Sequence, residues 1–209
     1  MSATPSHIPA PVFCPASARQ GPGRPREYDP DRALGAVLGV FKARGYEAAS
    51  LEDLTAAAGL SRSSFYAAFG SKRGALLAAL DLYLEAGETA LDRAAAADPE
   101  AGPRDAIRRV VDTMFAADVH RAGCFVVDMS AELGARDIEA AGKINDSIAR
   151  KARFLAGLAA PLVGEAAAEG RARAALALYL GAAAMRKAGA PVTDVDALKT
   201  EACRLLGVD

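Results

Sequence analysis

The sequence predicts an all-α fold, in which an N-terminal unit of three short helices precedes a larger helical domain. Alanine, the strongest helix former, accounts for 51 of the 209 residues, and aromatic side chains make up only 6%. Apolar residues recur at helical spacing, and Ser, Asp or Pro precede the periodic segments while Gly follows several of them. No segment shows the alternating pattern of a strand.

The N-terminal region divides into a tail and a compact unit. Residues 1–23 contain five prolines and no periodicity, which is typical of a disordered tail. We expect the fold to begin near Arg24, with Asp29 as the cap of a first helix that Gly45 ends. Residues 24–72 are then predicted to form one domain.

Two further short helices follow within this domain. Ser50 is placed to cap the second helix, which Gly59 ends, and Ser61 caps a third, which Gly70 ends. The tight glycine turn between them is the geometry of a helix-turn-helix, in which the second helix enters the major groove of DNA.

Residues 73–209 are predicted to form the larger helical domain. Ser71 precedes its first helix, and Pro and Gly punctuate the later joints. The expected later elements are a helix opened by Pro103, a short segment over 123–134, a long helix from about Asp137, and two last helices over 171–188 and 194–206.

The charge is distributed unevenly although the net charge is only −1. Residues 1–73 carry nine Lys or Arg against six acids, which gives +3, and the remainder carries sixteen against twenty, which gives −4. The N-terminal third is therefore the plausible nucleic-acid face.

Composition also argues against several other classes. Three scattered cysteines, Cys14, Cys124 and Cys203, form neither a disulfide framework nor a zinc spacing, which favours a reducing compartment. No apolar run reaches the length of a membrane span, and the start lacks the pattern of a secretory signal. We expect a cytoplasmic protein with no membrane partner, metal or cofactor.

The sequence gives no sign of a catalytic centre. It has no glycine-rich phosphate loop, no nucleophile elbow and no paired carboxylates in a plausible acid/base arrangement, and of its two histidines His7 lies in the tail and His120 stands alone. We predict no catalytic residue. A small cytoplasmic enzyme without a recognisable motif and a helical protein-binding adaptor remain alternatives, and steeply salt-dependent, sequence-selective DNA binding would separate them from a DNA-binding regulator.

A series of short motifs runs through residues 23–86. They are a Gly-Arg-Pro-Arg arm at 23–26, Gly45-Tyr46, the segments 50–54 and 58–61, Ser-Arg-Ser-Ser-Phe-Tyr at 61–66, and Phe-Gly-Ser-Lys at 69–72. Together they resemble the DNA-binding domain of the tetracycline-repressor (TetR/AcrR) family of bacterial regulators. It implies a repressor that binds DNA and is released by an inducer.

The resemblance also implies roles for individual residues. Base reading would fall to Arg62, Ser63 and Ser64, and phosphate binding to Tyr66, Lys72 and Ser50. Arg24 and Arg26 would enter the adjacent minor groove.

The family plan further implies a homodimer in which the last two helices of each subunit form a four-helix bundle. A single helix-turn-helix makes a small contact with DNA, so a symmetric dimer on a palindromic operator is the physically sensible arrangement.

The segment around Cys124 resembles the Gly-Cys opening of the sixth helix in one branch of the family, some of whose members sense electrophiles or oxidants through this cysteine. A helix N-terminus near Arg121 and His120 would stabilise the thiolate of Cys124, and Lys187 is a candidate partner for the oxidised cysteine. The alternative is that Cys124 is a small apolar packing residue.

A reversible small-molecule inducer is the competing hypothesis. Its pocket would combine apolar walls with Asp128 or Glu132 as a polar anchor, since binding pockets usually join apolar side chains to a few polar groups. The predicted lining is Met114, Phe115, Cys124, Phe125, Asp128, Met129, Phe154 and Tyr179.

Overall fold

The computed structural model describes residues 29–116, 124–134, 136–189 and 194–209, which form nine helices and no strand. The N-terminal helices are α1 (Pro30–Ala48), α2 (Leu51–Ala58), α3 (Arg62–Phe69) and α4 (Lys72–Ala96). The others are α5 (Pro103–Met114), α6 (Phe125–Leu133), α7 (Ile138–Val163), α8 (Glu165–Lys187) and α9 (Val195–Leu205). The all-α prediction is confirmed; the predicted tail at 1–23 lies outside the described residues.

The predicted caps determine where the N-terminal helices begin and end. The Asp29 carboxylate accepts bonds from two backbone N–H groups of the first turn of α1. Ser50 and Asp53 form a reciprocal capping box at α2, and Gly59, with a φ of 65°, ends that helix. Ser61 then caps α3 through the backbone N–H of Ser64. The helix-turn-helix therefore follows from local signals.

Gly45 forms a kink within α1 but does not end the helix. Its φ of 79° is a left-handed conformation that favours glycine, and a short helical turn continues beyond it to Ala48. The first helix was expected to stop at Gly45, so the prediction located the break but missed this extra turn.

Two hydrophobic cores divide the chain, and α4 crosses both. The first core joins α1, α2, α3 and the first half of α4 to α6, with Phe41, Phe65 and Phe125 among its fully buried side chains. The second core lies among α5, α7, α8 and α9 and includes Leu91 near the end of α4. Because α6 contributes to the first core, the N-terminal unit packs directly on the larger helical domain.

The long helices α7 and α8 form an antiparallel pair joined at Gly164. Gly164 has a φ of 83°, which reverses the chain between them. The prediction began the second of these helices at Arg171, but α8 begins at Glu165. Its N-cap has no side-chain hydrogen bond, so the usual start signal is absent from the sequence.

Candidate nucleic-acid interface

One face of α3 is buried and the other carries polar groups into solvent. Phe65 is fully buried, with the ring of Phe69 4.9 Å away, and together they fix the helix on the first core. Arg62 and Ser63 are exposed, and Tyr66 retains 48% of its surface. The predicted groove-facing side chains therefore share one accessible surface.

Arg62, the first residue of α3, forms an ion pair with Glu52 of α2. Its Nη2 donates to Glu52 Oε1 at 3.0 Å, and both side chains are mostly exposed. Exposed pairs of this kind contribute about 0–1 kcal/mol, whereas a bidentate arginine–guanine contact contributes about 1–3 kcal/mol of discrimination. A guanine can therefore displace Glu52.

The serine hydroxyls of α3 are engaged with the helix cap. Ser61 Oγ lies 3.0 Å from Ser63 Oγ and 2.8 Å from Ser64 Oγ, and it also accepts from the Ser64 backbone N–H. Ser64 is half-buried, whereas Ser63 is exposed. Ser63 is thus the better placed of the two predicted base-reading serines.

The N-terminus of α2 presents Ser50, whose hydroxyl donates to Asp53 Oδ2 at 2.8 Å. Arg44 also bonds that carboxylate, at 2.9 Å. Hydrogen bonds from the Ser50 backbone and side chain lower the pKa of Asp53. A phosphate at Ser50 would therefore lie beside a carboxylate that stays ionised.

Lys72 begins α4 and reaches back to the end of α1. Its Nζ donates to the carbonyl oxygen of Glu47 at 3.3 Å and lies 4.6 Å from the centre of the Tyr46 ring. The side chain is half-buried, so its ammonium is positioned before any ligand arrives. The remaining predicted DNA contacts, Arg24 and Arg26, lie outside the described residues.

The carboxylate of Glu132, at the end of α6, binds the backbone of α1 just after the kink at Gly45. Glu132 Oε2 accepts from the N–H groups of Tyr46 at 2.7 Å and Glu47 at 3.2 Å. These N–H groups are left free by the kink, as at any helix start. Glu132 was predicted as an anchor for an inducer; its carboxylate instead joins α6 to α1.

A second polar contact joins α4 to the start of α7. Arg73 donates to Asp137 at 2.6 and 2.8 Å and to Glu139 at 2.9 Å. Hydrogen bonding to Arg73 lowers the pKa of Asp137 to about 2. The N-terminal helices therefore contact both the end of α6, through Glu132, and the start of α7, through Asp137.

The residues predicted to line an inducer pocket are divided between the two cores, and Tyr179 lies where the two cores adjoin. Its ring lies 5.5 Å from that of Phe115, and its hydroxyl donates to Cys124 Sγ at 3.8 Å. The first core holds Cys124, Phe125 and Met129, and the second holds Met114 and Phe115, with Phe154 packed against it. Tyr179 packs against both cores.

Cys124 is a buried N-cap whose side chain makes no capping bond to α6. The hydroxyls of Tyr83 and Tyr179 both lie next to the thiol, and burial, together with that thiol, raises the pKa of each phenol. His120 and Arg121, which were expected to stabilise the thiolate, lie outside the described residues.

Asp128, one turn after Cys124, is a buried carboxylate. It is only 6% exposed, and Lys187 donates to its Oδ2 at 3.2 Å. Its Oδ1 is buried and has no hydrogen-bond partner among the residues that the structure describes. Lys187, predicted as a partner for Cys124, therefore pairs with the neighbouring carboxylate.

No sequence pattern singles out Tyr83 of α4 or Lys151 of α7. Tyr83 packs edge-on against Phe125 with ring centres 5.4 Å apart, and Lys42 of α1 lies 5.7 Å from its ring. Lys151 is half-buried, and desolvation lowers the pKa of its ammonium. The alternation of apolar and polar residues within one helix does not reveal the environment of either residue, because their neighbours come from other helices.

Within the described ranges, His, Cys, Asp and Glu side chains do not assemble into a metal-binding group. None of the helices in those ranges combines the length and apolar character needed to cross a membrane.

Residues 34–80 match the model of the bacterial regulatory proteins of the tetR family. This segment contains the glycine turn and the exposed face of α3 described above. Residues 34–80 form a TetR-family helix-turn-helix domain. Proteins with this domain in the comparisons are transcriptional regulators and not enzymes.

Curated relatives match over part of the chain. The chain is 40% identical over 63 residues to the HTH-type transcriptional repressor BdcR of Escherichia coli K12, an alignment that covers 30% of this chain and 32% of BdcR. The chain thus spans about a third of the length of that relative.

Solved structures extend the likeness beyond the TetR-family domain. A cysteine-substituted form of the TetR family transcriptional regulator CifR, in complex with a 26-base-pair double-strand operator DNA, matches with a TM-score of 0.69 and 28% identity, covering 88% of this chain and 98% of CifR. A TetR family regulator from Cytophaga hutchinsonii matches with a TM-score of 0.74 and 19% identity, covering 85% and 92%. The second likeness concerns the fold alone.

Proposed function

We propose that this chain is a dimeric transcriptional repressor that binds a palindromic operator through α3 and releases it in response to a small molecule or an electrophile. The observation that carries this proposal is the exposed face of α3, which presents Arg62, Ser63 and Tyr66 within a segment that matches the TetR-family model. Lys72 follows at the start of α4. A regulator of chromosomal DNA in a bacterium works in the cytoplasm.

The polar groups on this face fit the two tasks of DNA binding. Arg62 offers a planar pair of donors for guanine O6 and N7, which supplies sequence selectivity. Tyr66 and Lys72 offer a hydroxyl and an ammonium to phosphates, which fixes the position of the domain on the duplex. The arm with Arg24 and Arg26 would add contacts in the minor groove.

A dimer is supported by an exposed face on α8. Small residues and Met185, which is 53% exposed, follow one another on this face at helical spacing, and a Cβ built on Gly181 meets no atom within 4 Å. The exposed members are Gly170, Ala174, Ala177, Gly181, Ala184, Met185 and Ala188. Such a surface allows close packing against the same helix of a second subunit.

The dimer is tested by sedimentation velocity with Ala184→Arg. A charged side chain in the close-packed face should convert the dimer to a monomer. Ala96→Arg, at an exposed alanine near the end of α4, is the matched control and should remain dimeric. A monomeric wild-type protein at micromolar concentration would refute this part of the proposal.

Signal transfer is supported by the two contacts of α6. Cys124 and Asp128 lie in the first turns of the helix, next to Tyr83 and Tyr179, and Glu132 at its end holds the backbone of α1. Movement of α6 would therefore change the position of the helix-turn-helix relative to its partner in the dimer, and hence the spacing of the two α3 helices.

DNA binding is tested by selecting sequences from a random duplex library with the full chain and measuring fluorescence anisotropy of the selected site. We expect a palindromic consensus and an affinity that falls steeply with salt. Binding that is independent of sequence, or no binding to any duplex, would refute the proposal and favour a protein-binding adaptor.

Thiol sensing and reversible ligand binding are separated by Cys124→Ser. If Cys124 is the sensor, a mild electrophile such as N-ethylmaleimide releases operator DNA from the wild type and not from the variant. Cys203→Ser is the matched control, since Cys203 is half-buried and lies in α9. Release that persists in Cys124→Ser would rule out sensing at this thiol.

A further inference from the structure

The short turn over residues 46–48, which follows the kink at Gly45, is shaped to receive a carboxylate. The N–H groups after such a kink resemble those of a helix start, which have no partner within the helix. Glu132 Oε2 accepts from two of them, Tyr46 N–H at 2.7 Å and Glu47 N–H at 3.2 Å. A Cβ built on Gly45 would overlap Glu132 Oε1, so glycine also leaves the space that the carboxylate occupies.

The same turn holds the ammonium of Lys72. Lys72 Nζ donates to the carbonyl oxygen of Glu47 at 3.3 Å and lies 4.6 Å from the centre of the Tyr46 ring. Both contacts are made to the residues whose N–H groups Glu132 binds. The position of the ammonium therefore depends on the conformation of the turn 46–48, which in turn depends on Glu132.

A second contact between the larger helical domain and this turn is weaker. Arg136 Nη1 lies 3.5 Å from Glu47 Oε1, and both side chains are mostly exposed, so solvent screens the pair. Glu132 is half-buried, and its bonds to the backbone are charge-assisted, which makes them stronger than neutral ones. Of these two contacts, we therefore expect that of Glu132 to fix the turn.

We propose that Glu132 is a positioning residue for DNA binding, which fixes the turn 46–48 and so holds the Lys72 ammonium where a phosphate of the operator can bind. An ammonium has three N–H donors, so it can bond the Glu47 carbonyl and a phosphate at the same time. The assignment rests on the proposed DNA binding, and it adds a residue that lies outside the TetR-family segment 34–80.

Electrostatic repulsion alone predicts the opposite effect of removing Glu132. A carboxylate repels the phosphates of DNA over a distance of about 10 Å at 0.1 M salt. If charge were its only influence, loss of Glu132 would strengthen DNA binding. Weaker binding after its removal therefore indicates lost positioning.

The test is fluorescence anisotropy of the selected operator and of an unrelated duplex, with the full chain, at several salt concentrations. Glu132→Ala should weaken both duplexes, by no more than Lys72→Ala does, and should lower the slope of log K against log salt by about one unit, the value of one phosphate contact. Glu132→Gln keeps an acceptor oxygen and should restore part of the slope. Glu165→Ala removes the same charge at the exposed start of α8 and, as the matched control, should leave the slope unchanged.

A double-mutant cycle separates positioning of Lys72 from a general loss of structure. If Glu132 acts through Lys72, then Glu132→Ala in the Lys72→Ala background should change DNA affinity by less than about twofold, the error within which independent effects usually add. Circular dichroism at the assay temperature shows whether each variant is folded. Glu132→Asp keeps the charge but shortens the side chain, and it should lower the slope as well if Glu132→Ala does not fold.

Three results would overturn the role of Glu132. They are tighter DNA binding by Glu132→Ala, a salt slope unchanged in the folded variant, and a loss of affinity in the Lys72→Ala background equal to that in the wild type. A slope unchanged in Lys72→Ala would also overturn it, because no phosphate contact would then exist to be positioned. A wild type that binds no duplex refutes the proposed function and this assignment together, whereas the other results refute only the role of Glu132.

Discussion

The carboxylate of Glu132 accepts a 2.7 Å hydrogen bond from the backbone N–H of Tyr46, which lies 86 residues earlier in the chain. The same oxygen accepts from Glu47 N–H, and the Glu47 carbonyl in turn accepts from Lys72. The short turn after Gly45 is thus held at its N–H end by the larger helical domain and at its C=O end by a predicted phosphate-binding lysine.

Replacing Glu132 should loosen this turn. We expect Glu132→Ala to lower the free energy of unfolding by about 1–3 kcal/mol, because it leaves N–H groups without an acceptor. Amide hydrogen exchange at Tyr46 and Glu47 should become faster in the variant. Glu132→Gln keeps an acceptor oxygen and should therefore keep part of the stability and part of the protection from exchange. An exchange rate unchanged in Glu132→Ala would show that the contact does not hold the turn.

Arg62→Ala should weaken the selected operator by about 1–3 kcal/mol and relax the preference at one base pair. The physical reason is the loss of a bidentate contact with a base edge. Anisotropy over a series of single base substitutions gives the measurement. Arg93→Ala, at an exposed arginine of α4, is the matched control, and an unchanged selectivity profile in Arg62→Ala would remove Arg62 from base reading.

Glu52→Gln should strengthen operator binding. The carboxylate of Glu52 competes for Arg62 at 3.0 Å and also repels nearby phosphates, so its removal favours the complex twice. We expect tighter binding at low salt and a smaller gain at high salt. A weaker complex would show instead that Glu52 positions Arg62 for the base.

Lys72→Ala should weaken all DNA sequences about equally and lower the slope of log K against log salt by about one unit, because one phosphate contact is lost. Titrations of the operator and of an unrelated duplex at several salt concentrations measure both effects. Lys72→Arg should keep most of the binding. A loss confined to the operator would contradict a phosphate role.

Asp137 should contribute stability that depends on pH. Arg73 holds the folded pKa of Asp137 at about 2, below its usual value of 3.8, so its contribution is present above the usual value and is lost as the pH falls towards 2. Asp137→Asn, which keeps a capping side chain for α7, should therefore be less stable than the wild type at pH 7, with a difference that shrinks in acid. Urea unfolding at several pH values measures this; a difference independent of pH would exclude the ion pair as its source.

Much of the N-terminal unit could be predicted because its signals are local. Ser50, Gly59 and Ser61 act on backbone groups only a few residues away, so their spacing fixed the helix-turn-helix and the exposed face of α3. The start of α8 was misplaced because Gly164 begins it without a side-chain cap. The extra turn after Gly45 was missed for another reason, since the carboxylate that supports it comes from α6.

The candidate ligand region could be predicted only in part. The apolar pattern correctly marked Phe115, Phe125 and Met129 as buried, but helical spacing cannot say which buried residues face one another. Lys151 looked like one more surface lysine, although it is half-buried and its amine lies close to Gly87 of α4.

The sequence by itself determined the helices, their caps and the chemistry presented by α3, since these depend on short-range backbone bonding and on apolar periodicity. Only the tertiary structure decided that Glu132 of α6 binds the backbone of α1 and that Arg73 pairs with Asp137. These contacts join residues about 60 to 90 positions apart or depend on packing between separate helices, and their energy comes from desolvation and geometry that no local pattern encodes.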